Sequence, residues 1–536
     1  MTDTEHLMTN CPICDAPTDS EALRNAAWLP PALLTQLARR RPSVRREEGA
    51  CPNCVRQAAL FTLFDVGETA LREELAENWF ADAGSAFAAL PTVLRLRADP
   101  RYTGKGVTIA LVDSGFYPHP DLTRPRNRIR AWVDAAREPI QSRYFGPDDG
   151  PRWPGWDQHT PDQWHGLMTS SVAAGNGSLS HGLYRGVASE ADVVLVQVRD
   201  DHGNISNGSI ARALGWLKDE GRRLGVRVVN LSVAGDPVRK LLGNVVDEAV
   251  DTLTRMGITV VAAAGNAGER RLVPPATAPA ALTIGGLDDG NTFDPEQVEL
   301  WHSNYGQTVY GILKPELVAP SIYLAAPLLP GTAEAADAAS LFARRADGDR
   351  EVEAAIAAAS LVTPYYKHVD GTSFAAPLVS ATIACMLQVN PKLSPALIRQ
   401  ILIATARHIP GASVERQGAG ALDPNAAVTL AGLERHGRAA RILGSPQVEG
   451  TTVTFALHEH DAAQVALFGS WNDWKGPGRS ATQIEPGLWR VVVRDLAPGR
   501  YQYKFLLDGD RWYDDPANPR KAQDRHGGLN SLVVVP

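Results

Sequence analysis

Gly371-Thr372-Ser373-Phe374-Ala375-Ala376-Pro377 is the stretch on which the reading of the fold turns. Small and apolar residues continue from it to about Gln388, which predicts a helix with Ser373 at its start. Free backbone N–H groups and the helix dipole favour developing negative charge at that position. A serine hydroxyl is a poor nucleophile at neutral pH. It needs a base within hydrogen-bond reach and an acidic residue to orient that base.

Working outward from Ser373, three further motifs meet these needs. Val260-Val261-Ala262-Ala263-Ala264-Gly265-Asn266-Ala267-Gly268 reads as a buried strand that delivers Asn266 to a glycine-flanked turn. Trp164-His165-Gly166 precedes a predicted helix through Ala174 and offers His165 as general base. The strand Val107-Thr108-Ile109-Ala110-Leu111-Val112 ends in Asp113-Ser114-Gly115, which puts a carboxylate at the C-terminal edge of a parallel sheet, where open α/β folds place their ligand sites. Singly, each has a structural reading: Asp113 as a turn residue, His165 as a helix residue, Ser373 as an N-cap, Asn266 as a turn former. His119, His159 and His181 are the competing histidines, with solvated or structural roles expected.

Together and in this order, the motifs resemble the catalytic domain of the subtilisin family of serine proteases over residues 101 to 430. The resemblance implies a triad of Asp113, His165 and Ser373, with Asn266 as side-chain donor to the oxyanion beside the Ser373 backbone N–H. It also implies that Ser232, Val233, Ala234 and Gly235, in Asn230-Leu231-Ser232-Val233-Ala234-Gly235, pair with substrate backbone by strand addition. One departure stands out: Gly166 is followed by Leu167-Met168 where the family has Thr-His, which changes the packing beneath the base.

The fold class expected is α/β: a subtilisin-like parallel sheet with helices on both faces, a small N-terminal zinc element and a C-terminal β-sandwich. Strands are predicted at 107–112, 193–198, 226–231, 258–263 and 281–285, and helices at 207–224 and 243–256, with Gly257 closing the second. Ser394-Pro395 opens another helix to about Arg407. The Ala-, Asp-, Glu- and Arg-rich stretch 331–360 reads as a helical insertion. Domains are expected at 1–60 (four-cysteine element), 61–100 (mainly helical connector), 101–435 (peptidase) and 445–536 (β-sandwich). Within the connector, Leu90-Pro91-Thr92-Val93-Leu94 is expected to be extended and to block the cleft.

At 536 residues the chain is long enough for three or four units of roughly 100 to 200 residues. A hydrophobic fraction of 44% with 21% charged residues suits a globular protein, and no apolar run of about 18 residues is expected to span a membrane. A net charge of -7 gives no general attraction for nucleic acid, so none is expected as partner. The first ten residues lack the basic start and apolar stretch of a secretory signal, which makes cytoplasmic the expected location.

Four of the five cysteines form Cys11-Pro12-Ile13-Cys14 and Cys51-Pro52-Asn53-Cys54, a donor set suited to structural tetrahedral zinc, with iron as the rival metal. No catalytic cofactor is expected. Arg39, Arg40, Arg41, Arg45 and Arg46 between the pairs read as a solvated face or a phosphate contact. Cys385 reads as a small buried hydrophobe.

From about 445 onward, alternating aromatic strands with turns predict an all-β module. Leu467-Phe468-Gly469-Ser470-Trp471-Asn472-Asp473-Trp474, Tyr501-Gln502-Tyr503-Lys504-Phe505, Asp508-Gly509, Trp512 and Asn530 resemble the glycogen-binding modules of the AMP-activated protein kinase β subunit and of glycogen branching enzymes. The resemblance implies Trp474 and Trp512 as sugar-stacking platforms and Lys504 and Asn530 as polar contacts, with Trp471 and Trp489 in the core. His526-Gly527-Gly528 stands where the kinase modules have sugar-touching side chains.

The reading as a whole is an intracellular serine endopeptidase acting on protein or peptide through an acyl-enzyme and targeted to α-glucan. Two alternatives remain open at this point. One is a catalytically silent peptide-binding scaffold; the other is a regulated protease whose C-terminal module binds protein.

Overall fold

The computed structural model describes residues 8–19, 23, 31–39, 41–42, 48–51, 54–55, 58, 89–150, 162–237, 244–293, 297–435, 445–459, 462–485, 488–515, 518, 520–524 and 528–536. Residues 61–88 of the expected helical connector, together with Arg40, Arg45, Arg46, His159, His526 and Gly527, lie outside the described residues. The chain divides into two units, Met1–Pro395 with His408–Asn425, and Ala396–Arg407 with Ala426–Pro536.

In the first unit the sheet runs Glu299–Leu300, Leu282–Asp288, Thr259–Ala263, Val226–Leu231, Thr108–Asp113, Asp192–Gln197, Ile129–Asp134, Gln141–Tyr144, and Leu317–Pro320 also pairs with Leu282–Asp288. All five expected strands are present within a few residues of their predicted bounds. The sheet is mixed rather than wholly parallel: Gln141–Tyr144 and Glu299–Leu300 run antiparallel to their neighbours. The strand Gln141–Tyr144 is exposed throughout, and an exposed edge carries no long apolar run by which to announce itself.

The central strands Thr108–Asp113 and Thr259–Ala263 are buried at every residue, as expected where helices cover both faces. On one face Ala110, Val112, Val194, Val196, Val229 and Val260 pack with Ile210, Leu214, Leu217, Val250 and Leu253. Those last residues come from the helices Asn207–Glu220 and Val245–Arg255. A reciprocal Ser206–Ser209 capping box opens the first, and Asn244 caps the second, whose chain turns away at Gly257 with φ +88°. The other face is covered by the helices Gln163–Ala174 and Thr372–Val389.

Thr372–Val389 is an 18-residue helix with mean hydropathy 1.5, which corrects the expectation that no apolar run reaches spanning length. It is the central helix of the core, with 83% of it buried inside the protein. Cys385 lies in it as expected, buried, its Sγ 3.1 Å from the Tyr102 carbonyl, and burial pushes its thiol up to about 12. The stretch 331–360 is helical, comprising Ala333–Ala346 and Glu353–Ala358.

Residues 90–94 are not extended. Thr92–Arg95 forms a helical turn, with Leu90, Val93 and Leu94 buried. The Leu90 N–H donates to Asn291 Oδ1 at 2.8 Å, and Arg95 pairs with Asp289 at 3.3 Å, so the segment is tied to the 289–293 loop.

The module in the second unit consists of two antiparallel sheets. One runs Gln447–Glu449, Thr452–His458, Leu488–Val493, Thr482–Glu485; the other contains Arg479–Ser480, Val465–Gly469, Gly499–Leu507, Leu529–Val535 and Lys521–Gln523, with Arg511–Tyr513 paired to Gly499–Leu507. Phe455, Val491, Tyr503, Phe505 and Val533 fill the space between them. The turn after Leu507 uses Asp508 at φ 51° and Gly509 at φ 87°, the left-handed pair that an Asp-Gly hairpin needs.

Candidate active site

Asp113 is the last residue of Thr108–Asp113, Ser232 follows Val226–Leu231, and Asn266 follows Thr259–Ala263. All three strands are parallel, so these residues share the carboxyl edge of the sheet. The helix carrying His165 and the helix carrying Ser373 reach the same edge.

The Asp113 side chain is 1% exposed, and its Oδ1 lies 2.6 Å from His165 Nδ1. The same carboxylate accepts from the Ser114 N–H at 2.7 Å and, through Oδ2, from Thr169 Oγ1 at 2.8 Å. Thr169 lies one turn after His165 on the same helix, so a single helical face supplies both the imidazole and a clamp on its partner. Burial works against the imidazolium, but the Asp113 charge and hydrogen bond outweigh it, and His165 is raised above the ordinary imidazole value. Gly166 permits the approach: a Cβ there would lie 2.0 Å from the Gly115 carbonyl oxygen. Leu167 and Met168, which follow on the same helix, are buried.

Ser373 is in the first turn of Thr372–Val389, and the Phe374 ring centroid lies 5.7 Å from that of His165. Its carbonyl oxygen accepts from Ser232 Oγ at 2.8 Å. Asn230 Nδ2 donates to Ser232 Oγ at 2.9 Å, and Ser380 Oγ donates to Asn230 Oδ1 at 3.0 Å, a buried chain that pins the helix to the strand.

Asn266 Oδ1 accepts from the Thr372 N–H at 3.0 Å and from Thr372 Oγ1 at 2.7 Å. Because the backbone N–H can only donate, this network fixes the amide with Nδ2 as the free end. Nδ2 lies 3.3 Å from where a Cβ on Gly371 would stand, so the glycine, at φ +132°, leaves that side open. Asn304 Oδ1 accepts from the Ala267 and Glu269 N–H groups and holds the Asn266 turn. The N–H groups of Gly371 and Phe374 are used by Ser321 and Gly371 carbonyls; that of Ser373 has no acceptor among the described residues.

The structure therefore brings Asp113, His165, Asn266, Ser232 and Ser373 together. Val233 is buried and Ala234 exposed, while the Gly235 N–H is already bonded to the Pro274 carbonyl at 2.8 Å. Thr169, Thr372 and the Asn230–Ser380 pair were not anticipated. Thr169 had a signal, its spacing of four from His165; Ser380 and Asn230 are joined only by the tertiary fold. His119 is buried, in keeping with a structural role.

At the N-terminus a hairpin of Met8–Asn10 and Pro17–Asp19 presents Cys11 and Cys14 to Cys51 and Cys54. The four sulfurs lie within 4.8 Å of one another, with Cys14 and Cys51 3.7 Å apart. Tetrahedral metal–sulfur bonds of about 2.3 Å place sulfurs roughly 3.8 Å apart, so the cluster could hold a metal ion. Backbone N–H groups of Ile13 and Cys51 point at Cys11 Sγ. Arg41 donates to the Pro12 carbonyl and Arg39 to Gln36, so these two members of the arginine set serve the element itself.

In the module, Trp512 is 51% exposed, and its ring centroid lies 6.3 Å from that of Trp474 and 5.0 Å from that of Phe468. Lys504 is paired to Asp524 at 2.6 Å, and Asn530, 7% exposed, donates to Gln502 Oε1 at 2.6 Å. The two tryptophan rings thus meet edge to face, with 68° between their planes, while Lys504 and Asn530 are both engaged inside the module. Trp471 packs against the core and Trp489 is buried, as expected.

A buried carboxylate–imidazole pair beside a serine at a helix start, with an oriented amide nearby, defines the serine hydrolase class. Residues 104–420 match the model of the subtilase family, and the chain belongs to that family. Residues 452–536 match the model described as the glycogen recognition site of AMP-activated protein kinase. The chain is similar to serine protease AprX of Bacillus subtilis, 30% identical over 56% of this chain and 61% of AprX. It is similar also to subtilisin Savinase of Lederbergia lenta, 27% identical over 61% of this chain and 91% of Savinase. Halolysin of Haloferax mediterranei is 29% identical over 62% of this chain and 50% of its own length.

Proposed function

We propose that this subtilase is an active intracellular serine endopeptidase, with a zinc-bound N-terminal element and a C-terminal module that binds α-glucan. The observation that carries the catalytic reading is the 2.6 Å Asp113–His165 contact, clamped by Ser114 and Thr169 at the same edge as Ser373. On this reading Ser373 Oγ attacks the peptide carbonyl as its proton passes to His165 Nε2, and Asp113 stabilises the imidazolium through Nδ1–H. Asn266 Nδ2 and the Ser373 N–H take the oxyanion. His165 then protonates the leaving amine, and water, deprotonated by the same imidazole, frees the acyl-enzyme. Ser232 to Gly235 would receive the substrate as an added strand, with Gly235 setting the geometry rather than donating.

Fluorophosphonate labelling of the intact protein beside Ser373→Ala tests this. Labelling and peptide hydrolysis are expected in the first and lost in the second, by about 10⁶-fold in turnover, a size borrowed from the same loss in a subtilisin. No labelling of folded wild-type protein would favour the silent scaffold.

The four-thiolate donor set, with all sulfurs within 4.8 Å of one another, supports zinc, and unlinked cysteines support a reducing compartment such as the cytoplasm. Metal analysis should return one zinc per chain, lost in Cys51→Ser; iron in its place would refute the zinc assignment. The exposed Trp512 beside Trp474 supports glucan binding, since flat sugar faces stack on aromatic rings.

A further inference from the structure

The stretch Ser232 to Gly235 ends where two other segments meet it. The Gly235 N–H donates to the Pro274 carbonyl at 2.8 Å. One residue on, the Asp236 N–H donates to Asn207 Oδ1 at 3.0 Å, and Asn207 Nδ2 donates back to the Asp236 carbonyl at 3.1 Å. A side-chain amide carries the donor and acceptor of a peptide group, so Asn207 meets Asp236 as a neighbouring strand would. Because the Asp236 N–H can only donate, the orientation of the amide is fixed. The Asn207 N–H completes the link by donating to Asp236 Oδ2 at 3.2 Å.

Gly235 lets the two segments come this close: a Cβ there would lie 2.0 Å from Asn207 Oδ1 and 3.2 Å from Ile210 Cδ1. Asn207 is held independently of Asp236. It is the first residue of the helix Asn207–Glu220, just after the Ser206 cap, and Ile210, Ala213, Leu214 and Leu217 of that helix are packed into the core. The near end of the stretch has its own anchor, Ser232 Oγ between Asn230 and the Ser373 carbonyl. Between these anchors the backbone N–H and carbonyl groups of Val233 and Ala234 have no hydrogen-bond partner among the described residues. Open backbone groups can take an added strand, and they do so more tightly when they are already ordered, since each residue ordered on binding costs conformational entropy.

We propose that Asn207 is a positioning residue for the substrate: its amide bridge to Asp236 holds Val233 and Ala234 in place, so that an incoming polypeptide pairs with a preformed edge. The inference rests on the reading of Ser232 to Gly235 as the edge that receives substrate. Asn207 acts through Asp236 and takes no part in acyl transfer.

Two substrates separate this role from general support of the site. Casein is an extended polypeptide that needs the edge, and p-nitrophenyl acetate is a small ester that reaches the nucleophile without it. In full-length Asn207→Ala, KM for casein should rise about tenfold with kcat within about twofold, the mark of lost binding common to ground and transition states. Turnover of the ester should stay within about twofold. Gly235→Ala leaves Asn207 in the chain but forces its amide aside, and should reproduce the rise in KM; it serves as a second test should Asn207→Ala fold poorly. An unchanged KM for casein in either folded variant, or a parallel loss on casein and ester, would overturn the proposal. Wild-type protein that cleaves neither substrate would instead refute the protease reading on which the inference rests.

Discussion

In the first unit the functional groups come from four separate elements and are held by hydrogen bonds from neighbouring residues: Asp113 by Ser114 and Thr169, Asn266 by Thr372, the Ser373 carbonyl by Ser232. In the C-terminal module the candidate surface is Trp512 on a strand beside Trp474 in a turn, with Lys504 and Asn530 bonded to Asp524 and Gln502. The first arrangement fixes positions tightly, as stabilising a transition state requires. The second offers stacking area with few directed polar contacts, which suits weak recognition of a repeating polymer. Damage should therefore be severe and local in the first unit, graded in the second.

The largest effect that would sharpen this contrast is Asn266→Ala. Turnover should fall by about 10² to 10³, a range borrowed from a subtilisin, with KM little changed. A rise in KM alone would mean that Asn266 binds substrate and is not an oxyanion donor.

Trp512→Ala should weaken co-sedimentation with glycogen by about tenfold, the equivalent of ~1.4 kcal/mol of lost stacking. Hydrolysis of a soluble peptide should stay within about twofold. Unaltered co-sedimentation would break the comparison in favour of a module that binds protein.

The smallest expected effect is a shift in the pH profile. The base must be neutral to act, and Asp113 raises His165, so the acid limb of kcat/KM should have its midpoint above the ~6.5 of a free imidazole. In Asp113→Asn that midpoint should move down. A wild-type midpoint below 6.5 would show that burial outweighs the carboxylate.

Much of the site was legible in the chain because each motif is local. The buried strand that ends at Asp113, the His165-Gly166 helix start and the glycine-flanked Asn266 are short patterns whose residue types state their backbone conformation. The apolar runs of the parallel strands were legible for the same reason, since burial on both faces leaves no alternation. Gln141–Tyr144 was not, because an exposed edge strand has no such run. Residues 90–94 were expected to be extended, whereas contacts with Asp289 and Asn291, about 200 residues away, stabilise a helical turn.

The sequence by itself determined the class of sheet, the order of the catalytic motifs, the four-thiolate donor set and the two-sheet module, since these follow from periodicity, spacing and residue chemistry within short windows. Only the tertiary structure decided which end of the Asn266 amide is free, that Thr169 clamps Asp113, and that Asn530 is turned inward. Those outcomes depend on which groups meet across distant elements, and a hydrogen bond is satisfied or left open by its spatial neighbours alone.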